Sequence, residues 1–491
     1  MEETKKQEAA SIGPHDDHEQ GTKQLGQSEL VTLVTPEEDC KLLRKIDLYL
    51  VPVMFFSYIF QVLDRAALSY SATMGLEEDL HLVGNEFSWA GSIYYFGYLA
   101  FSYPASYLLV KFPVGKVIAV SSTLWGAILM TTAGCFNSSG LLAARFFLGV
   151  AEASVAPALA IIVSMWYKRS EQPLRHGAWF MGNVISGFFS SLLAYGISMI
   201  DSSLANWAIL FIILGGVTFA WGVALFYLMP DQPLTARFLG PKERKMAVAR
   251  VSENMTTMEN DKFKLYQVIE GLTDLKMWLL FLIMISSSMA NGLATASMGF
   301  STLKTYLVQM ITTAFQAIFV IIATTGSSYF ENSRTLFIMF NYLVGIIGAV
   351  LIRYLDTSRL WARFFSYCLC IAFSASFPLV FSLSSANVAG STKKTTINAA
   401  IFIAYCAANI ASPQLFKTSE APLYSTAFTA CIFCLAVAIV LTGCLRLHLW
   451  WENKKRDKMR GVQGIDNGEV DCALDVSDRT DKEIRQFRYA Y

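Results

Sequence analysis

Val51 to Tyr70 reads VPVMFFSYIFQVLDRAALSY, and this stretch decides the fold. It is apolar almost throughout, yet Asp64 and Arg65 sit in it side by side. About 20 apolar residues are what a helix needs to cross the hydrocarbon core of a bilayer. An ionisable pair inside such a run is expensive, so it marks a site as well as a span. Arg145 to Trp166, RFFLGVAEASVAPALAIIVSMW, repeats the form with Arg145 and Glu152 embedded in it.

The rest of the chain follows the same plan. Of its 491 residues, 54% are hydrophobic and 16% are charged, and the mean hydropathy is +0.43. A soluble protein would carry about a quarter charged residues. Lys and Arg total 39 against 38 Asp and Glu, a net charge of +1, so no basic excess points to nucleic acid. Nine cysteines are scattered, and Cys368, Cys370, Cys431 and Cys434 lie inside apolar runs. They read as small buried hydrophobes, not as a disulfide frame or a zinc site. The opening residues are polar and lack the apolar core of a cleavable signal peptide.

Apolar runs fall near Leu48–Tyr70, Phe87–Val110, Val114–Ala133, Leu141–Trp166, Gly177–Ile200 and Trp207–Met229. After a charged stretch, more follow near Met277–Ser297, Thr302–Thr324, Thr335–Arg353, Leu360–Ser384, Thr395–Pro413 and Tyr424–Trp450. The expected fold is an all-α membrane protein of twelve transmembrane helices in two six-helix bundles. The expected divisions are a disordered N-terminal tail (1–45), a first bundle (46–229), a central loop (230–276), a second bundle (277–450) and a C-terminal tail (451–491). Lys111, Lys116, Lys168, Arg169, Arg175, Lys393 and Lys394 lie in even-numbered loops. The first odd loop holds Glu77, Glu78, Asp79 and Glu86. The positive-inside rule then puts both termini and the central loop in the cytoplasm, against the dissent of Arg353, Arg359 and Arg363.

Each mid-helix charge costs about 2.5–3.5 kcal/mol, so the four together represent roughly 10–14 kcal/mol unless they face a polar cavity or one another. Arg145 and Glu152 are two helical turns apart on one stripe, about 10 Å along the axis. Adjacent Asp64 and Arg65 diverge by about 100° and should serve different neighbours. One reading is a pair of structural ion pairs that lock the first and fourth spans together. The functional reading makes Asp64 and Glu152 the proton-exchanging groups, while an arginine receives an anion. With both carboxylates ionised the four charges sum to zero. Protonation leaves a positive site, which predicts symport of an organic anion with protons.

The second set of spans has neutral polar residues instead: Asn291, Gln316, Asn341, Ser374, Ser376, Asn398, Tyr405 and Asn409. Asn398 and Asn409 are three turns apart and share a helix face. Asn291, Asn398 and Asn409 are therefore expected to contact substrate, with helix–helix hydrogen bonding as the alternative. On the second span Tyr94 and Tyr98 share a face, and Tyr94 is the one expected to reach a ligand. An enzyme lacks its parts: the five histidines lie in tails or near span ends, and no GxxxxGK[ST] loop occurs. No metal and no cofactor are expected.

Several segments together resemble the fungal allantoate-permease family. They are LDRAALS (63–69), SWAGSIYYFGYL (88–99), KFPVGK (111–116), RFFLGVAEA (145–153), MWYKRSEQPLR (165–175), LMPDQPLTARFL (228–239), NVAGSTKKTTINA (387–399) and IAYCAANIASPQLF (403–416). That family forms part of the anion:cation symporter branch of the major facilitator superfamily. The resemblance implies proton-linked movement of small carboxylates such as allantoate or nicotinate, through a monomer in the plasma membrane. Its alternatives are an exporter of an acidic fungal metabolite and a non-transporting nutrient sensor. By resemblance, Asp64 and Glu152 form the protonatable pair, Arg65 contacts the substrate carboxylate, and Arg145 is a gating or pairing partner. The chain departs from the family pattern in offering no Asn just after Arg65, and in a shortened stretch between Asn291 and Gly299.

Overall fold

The computed structural model describes residues 35–84, 86–252, 263–291, 302–356, 359–415, 425–463, 479–484 and 487–491. The first helix, α1, runs Pro36–Thr73 and so begins inside the segment expected to be a disordered tail. Local chemistry explains the early start. The Thr35 hydroxyl accepts from the Glu38 backbone N–H at 3.3 Å, Pro36 takes the first turn, and Glu37, Glu38 and Asp39 face the positive helix end. The other helices of the first half are α2 (Glu86–Lys111), α3 (Val114–Thr132), α4 (Ser138–Trp166), α5 (Gln172–Ser198) and α6 (Asn206–Leu228).

The second half holds α7 (Leu275–Ser288), α8 (Thr302–Tyr329), α9 (Arg334–Tyr354), α10 (Leu360–Asn387), α11 (Ser391–Ala411) and α12 (Ser425–Gln463). Nine helices among the described residues are long and apolar enough to cross a membrane. Three more, α2, α7 and α11, take the remaining places in the two sets. The central stretch is not all loop, because it contains helices Pro241–Ser252 and Leu265–Leu272. The shortened stretch after Asn291 lies outside the described residues.

Within the first half α3 packs on α6, α2 on α4, and α1 on α5. The second half pairs α9 with α12 and α7 with α11. The halves meet through α5 against α8 and α2 against α11. Apolar burial gives little net drive between helices already in lipid, so close backbone approach must supply the packing. At the α2–α4 contact, a Cβ on Gly149 would lie 2.0 Å from the Tyr94 carbonyl oxygen, and one on Gly97 would lie 2.1 Å from that of Phe146. This crossing admits only glycine.

The fourth helix of each half is irregular. In α4 the regular helix stops at Glu152 and resumes at Val155. In α10 it passes through a 3-10 turn, Ile371–Ala375. On the face carrying both tails, the halves are held shut. Arg334 donates to the carbonyls of Ser382, at 3.1 Å, and of Arg169 in the other half. Nearby, Arg250 pairs with Asp39 and Glu171, and Arg175 with Asp47, which binds the central stretch to α1 and α5.

Replacing Gly149 with leucine should force α2 and α4 apart, at a cost of about 1–3 kcal/mol. The expected result is a lower melting temperature in detergent and less monodisperse protein. Gly216→Ala, where an added Cβ meets nothing within 4 Å, should leave both unchanged.

Candidate substrate cavity

A cavity of about 340 Å³ lies between the halves, walled by α1, α5, α7, α8, α10 and α11. Its α1 residues, Tyr58 to Tyr70, come from the end of that helix remote from the tails. Asn291, Tyr405 and Asn409 likewise lie at or beyond the remote ends of α7 and α11. The cavity therefore faces the side opposite the tails.

Among the described residues of its wall, Arg65 is the one charged group. The guanidinium donates to the Tyr405 hydroxyl of the other half at 3.1 Å. It also lies over the Tyr94 and Tyr95 rings, 5.5 and 6.0 Å from their centroids, a cation–π arrangement that replaces part of its lost hydration. Its Nε–H has no hydrogen-bond partner among the described residues. Glu152 is fully buried behind this group and accepts from the Tyr94 hydroxyl at 2.6 Å, with the Gln61 side chain nearby. Tyr94 does not itself line the cavity. Its ring supports Arg65 and its hydroxyl is committed to Glu152.

Asp64 points the other way, as neighbours on a helix must. It accepts from Trp125 Nε1 of α3 and Thr218 Oγ1 of α6, both at 2.8 Å, and is sealed inside the first half. Arg145 is buried with its guanidinium carbon 5.4 Å from the centre of the Phe211 ring. Its Nε and Nη2 have no hydrogen-bond partner among the described residues, and no ion pair joins it to Glu152. The two structural ion pairs entertained from sequence are thus not formed in this state.

The neutral wall comes mainly from the second half. Asn291 donates to Asn409 Oδ1 at 3.1 Å, Asn409 donates to the Tyr405 carbonyl at 2.8 Å, and Gln316 donates to Ser374 Oγ at 3.0 Å. Asn398 does not join them. It accepts from Ser384 at 2.8 Å within the second half and is fully buried. Eleven residues share a helix face but are separated by about 16 Å of rise, so one asparagine reaches the cavity and the other cannot. In the sequence Tyr405, Gln316 and Ser374 stand out only as neutral polar content, and the structure places all three in the cavity wall. Tyr58, Asn183 and the cross-half stack of Phe180 on Phe377, 5.2 Å apart, carried no sequence signal distinct from core packing.

Residues 54–413 match the sequence profile of the major facilitator superfamily. The chain belongs to that superfamily. Within it, the chain is 34% identical to the allantoate permease of Saccharomyces cerevisiae over 93% of this chain and 87% of that one. It is 35% identical to an uncharacterized transporter of Schizosaccharomyces pombe, again over 93% and 87%. A thiamine pathway transporter of S. cerevisiae is 32% identical over 92% and 86%. The chain is thus an allantoate-permease-like member of the superfamily and a multi-pass membrane transporter. Among solved structures, the fold resembles a proton:xylose symporter, with a TM-score of 0.65 at 12% identity, covering 82% of this chain and 95% of that one. It also resembles a fucose transporter in the outward conformation, with a TM-score of 0.55 over 81% and 99%. Among the described residues no three His, Cys, Asp or Glu groups gather as a metal site would require.

Removing one of the two donors to Asp64, by Trp125→Phe or Thr218→Val, should cost about 1–3 kcal/mol by leaving a buried carboxyl under-satisfied. A thermal shift of the purified transporter measures this. Tyr405→Phe, which removes a bond at the cavity surface, should move the melting temperature much less.

Proposed function

We propose that this transporter carries a small organic anion together with protons by alternating access, with both tails in the cytoplasm and the plasma membrane as its site. The observation that carries the proposal is Arg65, the one cation among the described residues of an otherwise neutral cavity wall, with an N–H that none of those residues bonds. A carboxylate can accept two parallel N–H bonds from a guanidinium, a stronger contact than the phenol of Tyr405 offers. Substrate would displace Tyr405 and take over as the link between the halves. The amides of Asn291, Asn409 and Gln316 would then read the rest of the ligand. The name of the yeast relative, allantoate permease, agrees with a carboxylate substrate bearing amide-like groups.

Proton coupling follows from charge. Glu152 and Asp64 are the two carboxyls buried near Arg65 and Arg145. While both are ionised, the set is neutral and gains little from an anion. Each proton taken up leaves one positive charge uncompensated, so protonation raises anion affinity, and by reciprocity the anion raises proton affinity by the same factor. Glu152 reaches the binding arginine through the Tyr94 hydroxyl and ring, which makes it the more direct coupling group. Asp64, bonded only within the first half, acts through that half's packing. Arg145 becomes a gating partner, its unpaired N–H groups available to a carboxylate when α4 shifts.

The test is uptake of a panel of labelled carboxylates by cells lacking related permeases, at outside pH of about 5 and 7.5. Uptake of at least one acid should be faster at the lower pH. Glu152→Gln should remove the pH dependence and lower uptake at least tenfold, while Arg65→Gln should abolish binding. Absence of uptake for every acid, with the protein shown at the cell surface, would contradict the import reading.

A further inference from the structure

The last residues of the chain fold back into a prepared site on the tail-side face. Asp481 is fully buried there, accepting from Lys276 Nζ of α7, from Lys393 Nζ of α11 at 2.7 Å and from the Tyr489 hydroxyl at 2.9 Å. Lys393 also pairs with Glu270 at 2.8 Å and Asp274 at 3.0 Å. Asp481 thus joins Glu270 and Asp274 around the two buried ammonium groups and is the one carboxylate paired with both of them at hydrogen-bond distance. Burial alone would raise the Asp481 carboxyl, but the two ammonium groups override it and hold it well below the usual carboxylate range. The Asp481 carboxylate therefore stays ionised through the usual carboxylate range, and its contribution falls away as pH drops below that range.

The segment is also held in shape. Arg456 of α12 donates to the carbonyls of Asp481, Ile484 and Phe487 and to the Tyr489 hydroxyl, at 2.7 to 3.2 Å. Asn387, at the end of α10, grips the backbone of Ala490 from both sides, donating to its carbonyl and accepting its N–H, each at 2.7 Å. All these partners belong to the second half. Contact with the first half is made by Arg169, between α4 and α5, which lies 4.0 Å above the Phe487 ring and donates to the Arg488 carbonyl at 2.8 Å. The same residue offers its own carbonyl to Arg334 where the halves are shut.

We infer that residues 479–484 and 487–491 act as a conformational latch: an internal peptide ligand that ties the α4–α5 connection to the second half and favours the state closed on the tail side. The inference rests on the alternating-access reading for the direction of its effect, but not for the binding itself. When the tail side opens, the segment stays on α7, α11 and α12, and among the described residues the Arg169 contact is what must break. Charge, aromatic and backbone recognition combine in one receptor, so its ligand is a peptide with a buried aspartate on a hydrogen-bonded turn, where the Thr480 carbonyl accepts from the Glu483 and Ile484 N–H groups, and, several residues later, an aromatic pair.

The experiment uses the chain ended at residue 478 and a fluorescent peptide of sequence RTDKEIRQFRYAY, corresponding to residues 479–491. The peptide should bind the shortened transporter saturably, and the full-length protein, whose site is filled, much less. The peptide version of Asp481→Asn should bind at least tenfold more weakly. Spin labels on the tail-side α4–α5 and α10–α11 connections should show longer distances in the shortened protein and recover the shorter ones when peptide is added. Arg169→Ala in the full chain should lengthen the same distances without releasing the segment, which keeps the test available if truncation lowers expression. Failure of the peptide to bind, or binding with unchanged distances in both variants, would overturn the latch. Neither readout needs transport, so a failed substrate assay and a failed latch remain distinguishable.

Discussion

A guanidinium at membrane depth must find electron density to face, and the arrangement around Arg65 follows from that need. Hydrocarbon offers no acceptor, so the protein supplies a phenol from α11 and two ring faces from α2 beside the cavity. One of those rings, Tyr94, then turns its hydroxyl to Glu152 on α4. A single charged side chain on α1 thereby organises contacts to three other helices, one of them in the opposite half. The bond to Tyr405 is the piece that can be exchanged. When the halves rearrange, Arg65 needs another acceptor, and under the proposed function an incoming carboxylate would be the better one.

The two halves divide the work unequally, for an energetic reason. Charges are concentrated in the first half, where α2 and α4 approach as closely as glycine allows and little room is left for solvent. The second half contributes amides and hydroxyls that already bond to one another, Asn291 with Asn409 and Gln316 with Ser374. A ligand group that breaks such a pair must replace what it breaks. The neutral wall therefore adds little to affinity, but it penalises any ligand that cannot supply matching donors and acceptors. Attraction would come from Arg65 and discrimination from the opposite wall.

The architecture was legible in the sequence because hydrocarbon thickness fixes the length of a span and leaves few places for charge. The same scarcity singled out Asp64, Arg65, Arg145 and Glu152. Helical geometry separated Asp64 from Arg65 correctly, since a rotation of about 100° per residue does not depend on context. It misplaced Asn398, because sharing a face says nothing of depth along the axis. Tyr405 was invisible as an arginine partner, since its role depends on how two bundles meet. The C-terminal segment was hidden more completely. It has the composition of a solvated tail, and its one buried aspartate is meaningful only beside Lys276 and Lys393, which are distant in sequence.

Alternating access requires that neither closure be too strong, since a difference of a few kcal/mol between the two faces would leave one state almost unpopulated. The tail-side closure described here is built from separable parts. Arg334 joins the halves through two backbone carbonyls, and the C-terminal segment adds the Arg169 contact. Neither part buries a charge that depends on a carboxylate in the opposite half, so separation leaves no orphaned acid behind. The strong interactions of the segment, from Asp481 to its two lysines and from Arg456 to three carbonyls, lie wholly within the second half and survive the opening. What must break is one stacked arginine and its hydrogen bonds. Strong attachment to one half and a weak hold on the other is how a segment can bias a conformational equilibrium without freezing it.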